Sequence, residues 1–249
     1  MIAITRDVSP SIADAELTHI ERVPIDYTRA AAQHETYRQL LASLGCTVIS
    51  LPGDAAYPDC VFVEDTAIVL DDLAVITRPG AESRRGETAV IAAELAKYRR
   101  LARIEAPATI DGGDVLVLDD TIYVGLTTRT NEDALVQLNA LTRRTVIGVP
   151  VHGALHLKSA LTRVSRNALL VNPGWLDTSY FNDWTLIDAE EPNALLIGDV
   201  VVYPSAFPHT RAKLEAHGID VRVVDADELA KAEGGVTCCS LLVTPPLRV

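Results

Sequence analysis

Two stretches of the chain share one pattern of apolar and polar positions. CVFVEDTAIVLDDLAVITRPG, starting at Cys60, and TIDGGDVLVLDDTIYVGLTTRTN, starting at Thr109, each read as a short apolar strand, an Asp-Asp turn and a second apolar strand. Asp71-Asp72 and Asp119-Asp120 suit the turns, because Asp tolerates left-handed backbone and bonds its own chain. A helical period of 3.6 follows each hairpin. Glu87 to Arg100 aligns Ile91, Leu95 and Tyr98, and Asn131 to Leu141 aligns Leu135, Leu138 and Leu141, with Asn131 at the N-cap. An earlier helix spans about Tyr27 to Leu44, with Asp26 before it and Gly45 after it, and places Tyr27, Ala31, His34, Leu41 and Leu44 on one face. A short strand closes each unit: CTVISLP, ARIEAP and TVIGVPV.

The later chain repeats this plan less regularly. HLKSALTRVSRNALLVNP and NALLIGDVVVYPSA read as hairpins. A helix over about His209–His217, strand IDVRVVD, a short helix near Asp227–Lys231 and a last strand within GGVTCCSLLVTPP complete it. One marker stands at the start of each unit: Asp65, Asp111, His156, Asn193 and Cys238, separated by 46, 45, 37 and 45 residues. A period near 45 is a repeat signature. Five such units predict an α/β protein built as a ring, in which the first strand of each unit faces a shared centre. The whole span 1–249 is then one domain, since no linker, low-complexity block or charge run divides it.

Composition narrows the partners. Net charge is −12, from 22 Lys and Arg against 34 Asp and Glu, which disfavours a nucleic-acid partner. No apolar run approaches the ~20 residues that span a bilayer, and no signal peptide is expected at the N-terminus. The four cysteines, Cys46, Cys60, Cys238 and Cys239, lack CxxC spacing, so free thiols and a cytoplasmic location are expected.

Several residues carry candidate chemistry. Cys238 and Cys239 are expected to open the last strand, where alternation sends the two thiols to opposite faces. Cys238 would share its face with Ser240, and that polar neighbour favours it as the site thiol. His156 sits at a unit marker and would serve as the base that a cysteine nucleophile needs. Asp111 and Asp114 flank two glycines, good turn chemistry that also lets a ligand approach the backbone. Asp59, Glu64 and Asp65 surround an apolar Cys-Val-Phe-Val run, and buried acids require a cation or hydrogen-bond donors. The arginines of RPGAESRR (Arg78, Arg84 and Arg85) and Arg129 could together grip a carboxylate through paired N–H donors.

PDCVFVED, ITRPGAESRRGE, DGGDVL, RTN, LHLKS and GGVTCCS, in this order and at these spacings, resemble the dimethylarginine dimethylaminohydrolase family. That family belongs to the guanidino-group-modifying enzymes of the pentein fold, a five-bladed α/β propeller with pseudo-five-fold repeats. The resemblance covers nearly the whole chain. It implies Cys238 as nucleophile, His156 as general acid/base and Asp111 as the catalytic carboxylate. It implies Asp59, Glu64 and Asp65 near the guanidinium, Arg84 and Arg129 on the substrate α-carboxylate, and Leu17 and Ala232 at the α-amino end. The expected substrate is a methylated arginine, hydrolysed to citrulline and an alkylamine with no cofactor or metal; a homodimer is possible for such rings. The alternatives are a sister hydrolase acting on arginine or citrulline, and a non-catalytic binding protein on the same fold.

Overall fold

The structure, a computed structural model, describes residues 1–244. It contains five successive units. The first holds β1 (Ile2–Arg6), α1 (Tyr27–Ser43) and β2 (Thr47–Leu51), and the second β3 (Ala67–Val69), β4 (Leu73–Ile76), α2 (Thr88–Leu95) and β5 (Arg100–Arg103). The third holds β6 (Val115–Leu118), β7 (Thr121–Leu126), α3 (Glu132–Thr142) and β8 (Thr145–Pro150). The fourth has the one-turn helix α4 (Leu157–Ala160), β9 (Leu161–Arg163), β10 (Ala168–Val171) and β11 (Thr185–Asp188). The fifth has β12 (Leu195–Ile197), β13 (Val200–Pro204), α5 (Pro208–Ala216) and β14 (Asp220–Val224). The short α6 (Asp227–Ala230) and β15 (Leu241–Val243) follow.

Each unit has its own three-stranded sheet, and the second to fifth share one plan: an antiparallel hairpin, then a crossover to a parallel third strand. The first sheet is assembled from both ends of the described chain. β15 pairs antiparallel with β1, aligning Ile4 with Leu241, and β1 pairs parallel with β2. β1 is absent from the pattern reading, because its five residues have no hairpin partner nearby in sequence. No ladder joins one sheet to the next, so the described strands do not close into a barrel. The units meet through side chains. One apolar cluster, for example, joins Ile4 and Leu241 to Ala67, Ile76, Ile91 and Leu95.

Local chemistry explains most elements. The Asp26 carboxylate accepts from the Arg29 N–H and caps α1. Asp119 adopts φ +50° at its Asp-Asp turn. Other expectations need correction. α2 ends at Leu95, because the Lys97 and Tyr98 amides bond back only three residues to Glu94 and Leu95 and tighten the last turn. Its strand therefore starts at Arg100, ahead of ARIEAP. The Asn131 side chain does not cap α3; it accepts from Thr109 N and donates to the Pro107 carbonyl. The fourth unit crosses over through a single 3-10 turn, Thr178–Phe181. Cys238 and Cys239 do not open a strand. They lie in a turn closed by Cys238 N–H on Gly235 O, and β15 begins only at Leu241. Pro245 and Pro246 of the expected last strand lie outside the described residues.

The α1 face shifts slightly: Ala30, Gln33, His34, Tyr37 and Leu41 are buried, whereas Tyr27 is exposed. His34 is 1% exposed and its Nε2 has no hydrogen-bond partner among the described residues. Burial, aided by the Arg38 charge, pulls its pKa from 6.5 down to about 4 despite Asp7 and Glu35. The folded imidazole stays neutral while the unfolded one protonates, so its stabilisation is complete above pH 6.5 and is lost as pH falls through about 4. Urea unfolding at pH 7 and pH 4 should show the wild type losing about 3 kcal/mol more than His34→Leu over that interval.

Candidate active site

The five unit markers all lie just ahead of the hairpin strand that begins each sheet. Asp65 is on the 3-10 turn Val63–Thr66 before β3, and Asp111 precedes the turn Gly112–Asp114 before β6. His156 is the residue before α4, Asn193 precedes β12, and Cys238 lies in the turn before β15. Residues distant in sequence therefore meet at one end of the sheets. A small cavity there, about 20 Å³ in volume, is lined by Asp65, His156, Cys238, Asp59, Arg84, Arg129 and Ala232 among others.

His156 sits between two carboxylates. Its Nε2 is 3.0 Å from Asp111 Oδ2 and its Nδ1 is 3.8 Å from Asp65 Oδ1. Asp111 is fully buried behind the imidazole and outside the cavity lining; its Oδ1 accepts from Gly80 N–H. Asp111 thus orients His156, and Asp65 is the carboxylate that faces the cavity. Burial alone would lower the His156 pKa, but Asp65, Asp114 and Asp111 outweigh it and raise it to about 9. Asp65 moves the other way: burial opposes its charge, yet His156, Arg84 and the Gly113 N–H hold it below the usual carboxylate range. Gly113 is required here, since a Cβ would stand 2.7 Å from both Asp65 Oδ1 and His156 Nδ1.

The Cys238 thiol lies in the opposite electrostatic setting. Its Sγ accepts from Gly235 N–H at 3.3 Å, but burial, then Glu64 and Asp65, push its pKa well above the ordinary thiol value. The free site therefore holds a neutral thiol beside an imidazolium. Cys239 Sγ donates to the Gly235 carbonyl and does not line the cavity.

The remaining expected residues divide. Asp59 is buried in the cavity wall and accepts from Glu16 N–H. Burial raises its pKa, against the pull of Arg84. Arg129 is 8% exposed; its Nη2 donates to Thr18 Oγ1 and its Nη1 lies 3.8 Å from Asp111 Oδ2. Arg84 is more committed, with Nε and Nη2 on Glu87, Nη1 on Asp65, and Nη2 also on the Phe62 carbonyl. Leu17 is half-buried and outside the lining, whereas its neighbour Glu16 is part of it. Glu64 is not brought into this cavity. It pairs with Lys158 at 2.6 Å, accepts from Thr237 Oγ1, and faces a second cavity of about 470 Å³.

The sequence reading missed Glu16 and Glu233. The Glu233 carboxylate accepts from the backbone amides of Thr18, His19 and Ile20, holding that segment against the cavity. Their distance along the chain, about 215 residues, hides the contact. Lys158 was within reach, standing two residues after His156 in LHLKS.

Asp65, Asp111 and His156 present ligand-type atoms within 4.8 Å of one another. The imidazolium already occupies the space between the carboxylates, which suits a proton more directly than a metal ion.

Comparison with known proteins places the fold and the family. A dimethylarginine dimethylaminohydrolase variant solved as an adduct with S-methyl-L-thiocitrulline superposes with a TM-score of 0.91 at 34% identity, covering 96% of this chain and 98% of that one. A cysteine-to-serine variant of the Pseudomonas aeruginosa protein complexed with citrulline gives 0.90 at 34% identity, covering 96% and 97%. The N-terminal domain of the cyanobacterial arginine dihydrolase ArgZ gives 0.90 at 19% identity, covering 98% of each chain, and bears on the fold alone. The protein has the α/β pentein fold, with five three-stranded sheets in a pseudo-fivefold repeat. A sequence profile described as N,N dimethylarginine dimethylhydrolase, eukaryotic, matches residues 20–189. N(G),N(G)-dimethylarginine dimethylaminohydrolase of Pseudomonas aeruginosa is 35% identical over 248 residues (96% of this chain, 97% of that protein), and the Streptomyces coelicolor protein of that name is 37% identical over 246 (96% and 95%). The chain belongs to the dimethylarginine dimethylaminohydrolase family.

The His156 charge is directly measurable. Its folded pKa lies above the unfolded 6.5, so its contribution to stability is complete below pH 6.5 and lost as pH rises through about 9. An NMR titration of the His156 ring should show a midpoint near 9; a midpoint near 6.5 would remove the imidazolium from the resting site.

Proposed function

We propose that the protein hydrolyses Nω-methylated arginines to citrulline and an alkylamine through a covalent Cys238 thiouronium intermediate. The observation that carries this is the shared cavity of Cys238, a protonated His156 and the ionised Asp65, with Arg129 in the same wall. A site dominated by carboxylates favours a cationic ligand. Asp65 and Asp59 hydrogen-bond the guanidinium N–H groups, and Arg129 takes the α-carboxylate. Arg84 contributes charge and its single uncommitted Nη1 N–H. Leu17 and Ala232 present backbone at the α-amino end. Glu64 acts from behind Cys238.

The positive substrate supplies what the thiol lacks. Its arrival lowers the Cys238 pKa, and the proton leaves to solvent. The thiolate attacks the guanidinium carbon, forming the S–C bond and moving the C=N electrons onto nitrogen. His156 gives its proton to the dimethylamino nitrogen, the C–N bond breaks, and dimethylamine departs. Neutral His156 then takes a proton from water, and the hydroxide adds to the thiouronium carbon. The C–S bond breaks as the hydroxyl proton passes to the departing sulfur, which leaves the urea of citrulline and the neutral Cys238 thiol. Asp111 holds the imidazole throughout. No step calls on a metal or organic cofactor.

The same reading includes a closed five-bladed ring over residues 1–249 as one catalytic domain. Supporting it, the second cavity is lined by residues of β3, β6, β9, β12 and β15, one edge strand from each sheet. It also includes a cytoplasmic homodimer that binds neither nucleic acid nor membrane. The net charge of −12 argues against a nucleic-acid partner and the four free cysteines favour the cytoplasm, and no described helix is long and apolar enough to cross a membrane.

A turnover panel of asymmetric dimethylarginine, monomethylarginine, arginine, citrulline and agmatine tests the substrate. Equal yields of dimethylamine and citrulline from dimethylarginine, with little from arginine, are expected; preferential ammonia release from arginine would assign a sister activity. Cys238→Ser should abolish turnover in a folded protein, and Cys239→Ser should keep most of it. Arg129→Met should raise KM for dimethylarginine by ~10–10²-fold, the loss of one charged hydrogen bond, while leaving agmatine, which has no carboxylate, little affected.

A further inference from the structure

The second aspartate of the Asp-Gly-Gly-Asp segment has no part in the chemistry above, yet it is as deeply placed as the first. Asp114 is fully buried and outside the cavity lining. Its Oδ2 accepts from Thr127 Oγ1 at 2.8 Å and Thr130 Oγ1 at 2.6 Å, and its Oδ1 accepts from Leu157 N–H at 2.9 Å. Each of these partners leads to a site residue. Thr130 Oγ1 accepts from the backbone N–H of Asp111 at 3.2 Å. Thr127 Oγ1 accepts from the backbone N–H of Arg129 at 3.1 Å. Leu157 directly follows His156. Gly125 makes room for this arrangement, since a Cβ there would stand 2.6 Å from Asp114 Oδ1.

The geometry points to Asp114 as a positioning residue that sets Asp111, His156 and Arg129 together. A carboxylate only accepts, so it forces both threonine hydroxyls to donate inward and leaves their lone pairs for the Asp111 and Arg129 amides. An amide or a neutral acid at this position presents a donor, and the hydroxyls are then free to turn. The groups that face His156 are Asp65 from the turn before β3, and Asp111 and Asp114 from the turn before β6. Arg129, beside Asp111, completes the charged set. Asp114 is thus also one of three negative charges that keep the imidazole protonated.

This inference rests on the reading of His156 as general acid. Asp114→Asn, Thr130→Val and Thr130→Ser test it, with kcat and KM measured on dimethylarginine and the His156 ring titrated by NMR. Thr130→Val should lower kcat by ~10–10²-fold, part of a general acid–base contribution, with KM within about twofold; Asp114→Asn should lower kcat similarly and also raise KM, because it releases the Thr127 hydroxyl that holds the Arg129 backbone. Thr130→Ser, which keeps the hydroxyl, should restore kcat. The His156 midpoint should move from about 9 toward 6.5 in Asp114→Asn. Folded variants with wild-type kcat and an unmoved His156 midpoint would overturn the assignment, as would a fall in kcat that Thr130→Ser fails to rescue. If Asp114→Asn does not fold, the Thr130 pair decides. If the wild type turns over no guanidine compound, the functional reading fails, and the His156 titration still decides whether Asp114 positions the ring.

Discussion

Asp65 has to remain ionised where water does not reach it, and much of the site is arranged around that constraint. A carboxylate moved into a low-dielectric interior is costly unless cations and N–H donors replace its hydration. Asp65 has Arg84 at 2.6 Å, the His156 imidazolium, and the Gly113 N–H. Each of these ties it to another part of the chain. Arg84 also bonds Glu87 at the start of α2 and the Phe62 carbonyl, so one guanidinium fixes the turn before β3 against the helix of the same unit. Gly113 belongs to the next unit and His156 to the one after. Removing any one partner would leave a buried charge uncompensated.

The same constraint links catalysis to fold. The imidazolium stabilises Asp65 and is stabilised by it, and in the proposed mechanism it is also the proton donor for the leaving amine. A thiolate at Cys238 would be buried and would face Glu64 and Asp65, so the thiol stays protonated. This arrangement also protects a buried, reactive sulfur from adventitious chemistry, since thiolate character governs reactivity.

Sheet assembly places these groups. Each unit supplies one polar turn ahead of its hairpin strand, and five such turns furnish Asp65, Asp111, His156, Asn193 and Cys238. The polar residues of those turns are satisfied by neighbours from other units. Asn193 Nδ2 donates to Thr237 Oγ1 and the Lys158 carbonyl, and Thr237 donates to Glu64. The first sheet needs both β1 and β15, so the unit that carries Cys238 forms only when both ends of the fold meet.

Much of this was legible in the sequence. Hairpins, helices and the repeat of about 45 residues follow from local periodicity and turn chemistry, and those are properties of neighbouring residues. The motifs singled out Cys238, His156 and Asp111, and the structure brings Cys238 and His156 into one cavity with Asp111 behind the imidazole. Other features depended on contacts between distant segments. β1 gains its identity by pairing with β15 on one side and β2 on the other. Glu233 finds the Thr18–Ile20 amides across almost the whole chain. The division of roles among the acids was likewise invisible, because Asp65, Asp111 and Glu64 have similar side chains and similar local sequence. Sequence by itself determined the elements, the repeat, the acidic character and the reactive residue types. Only the tertiary structure decided which carboxylate faces the cavity, which orients the imidazole and which pairs with Lys158, because burial and the nearest opposite charge are set by packing across units rather than by neighbours along the chain.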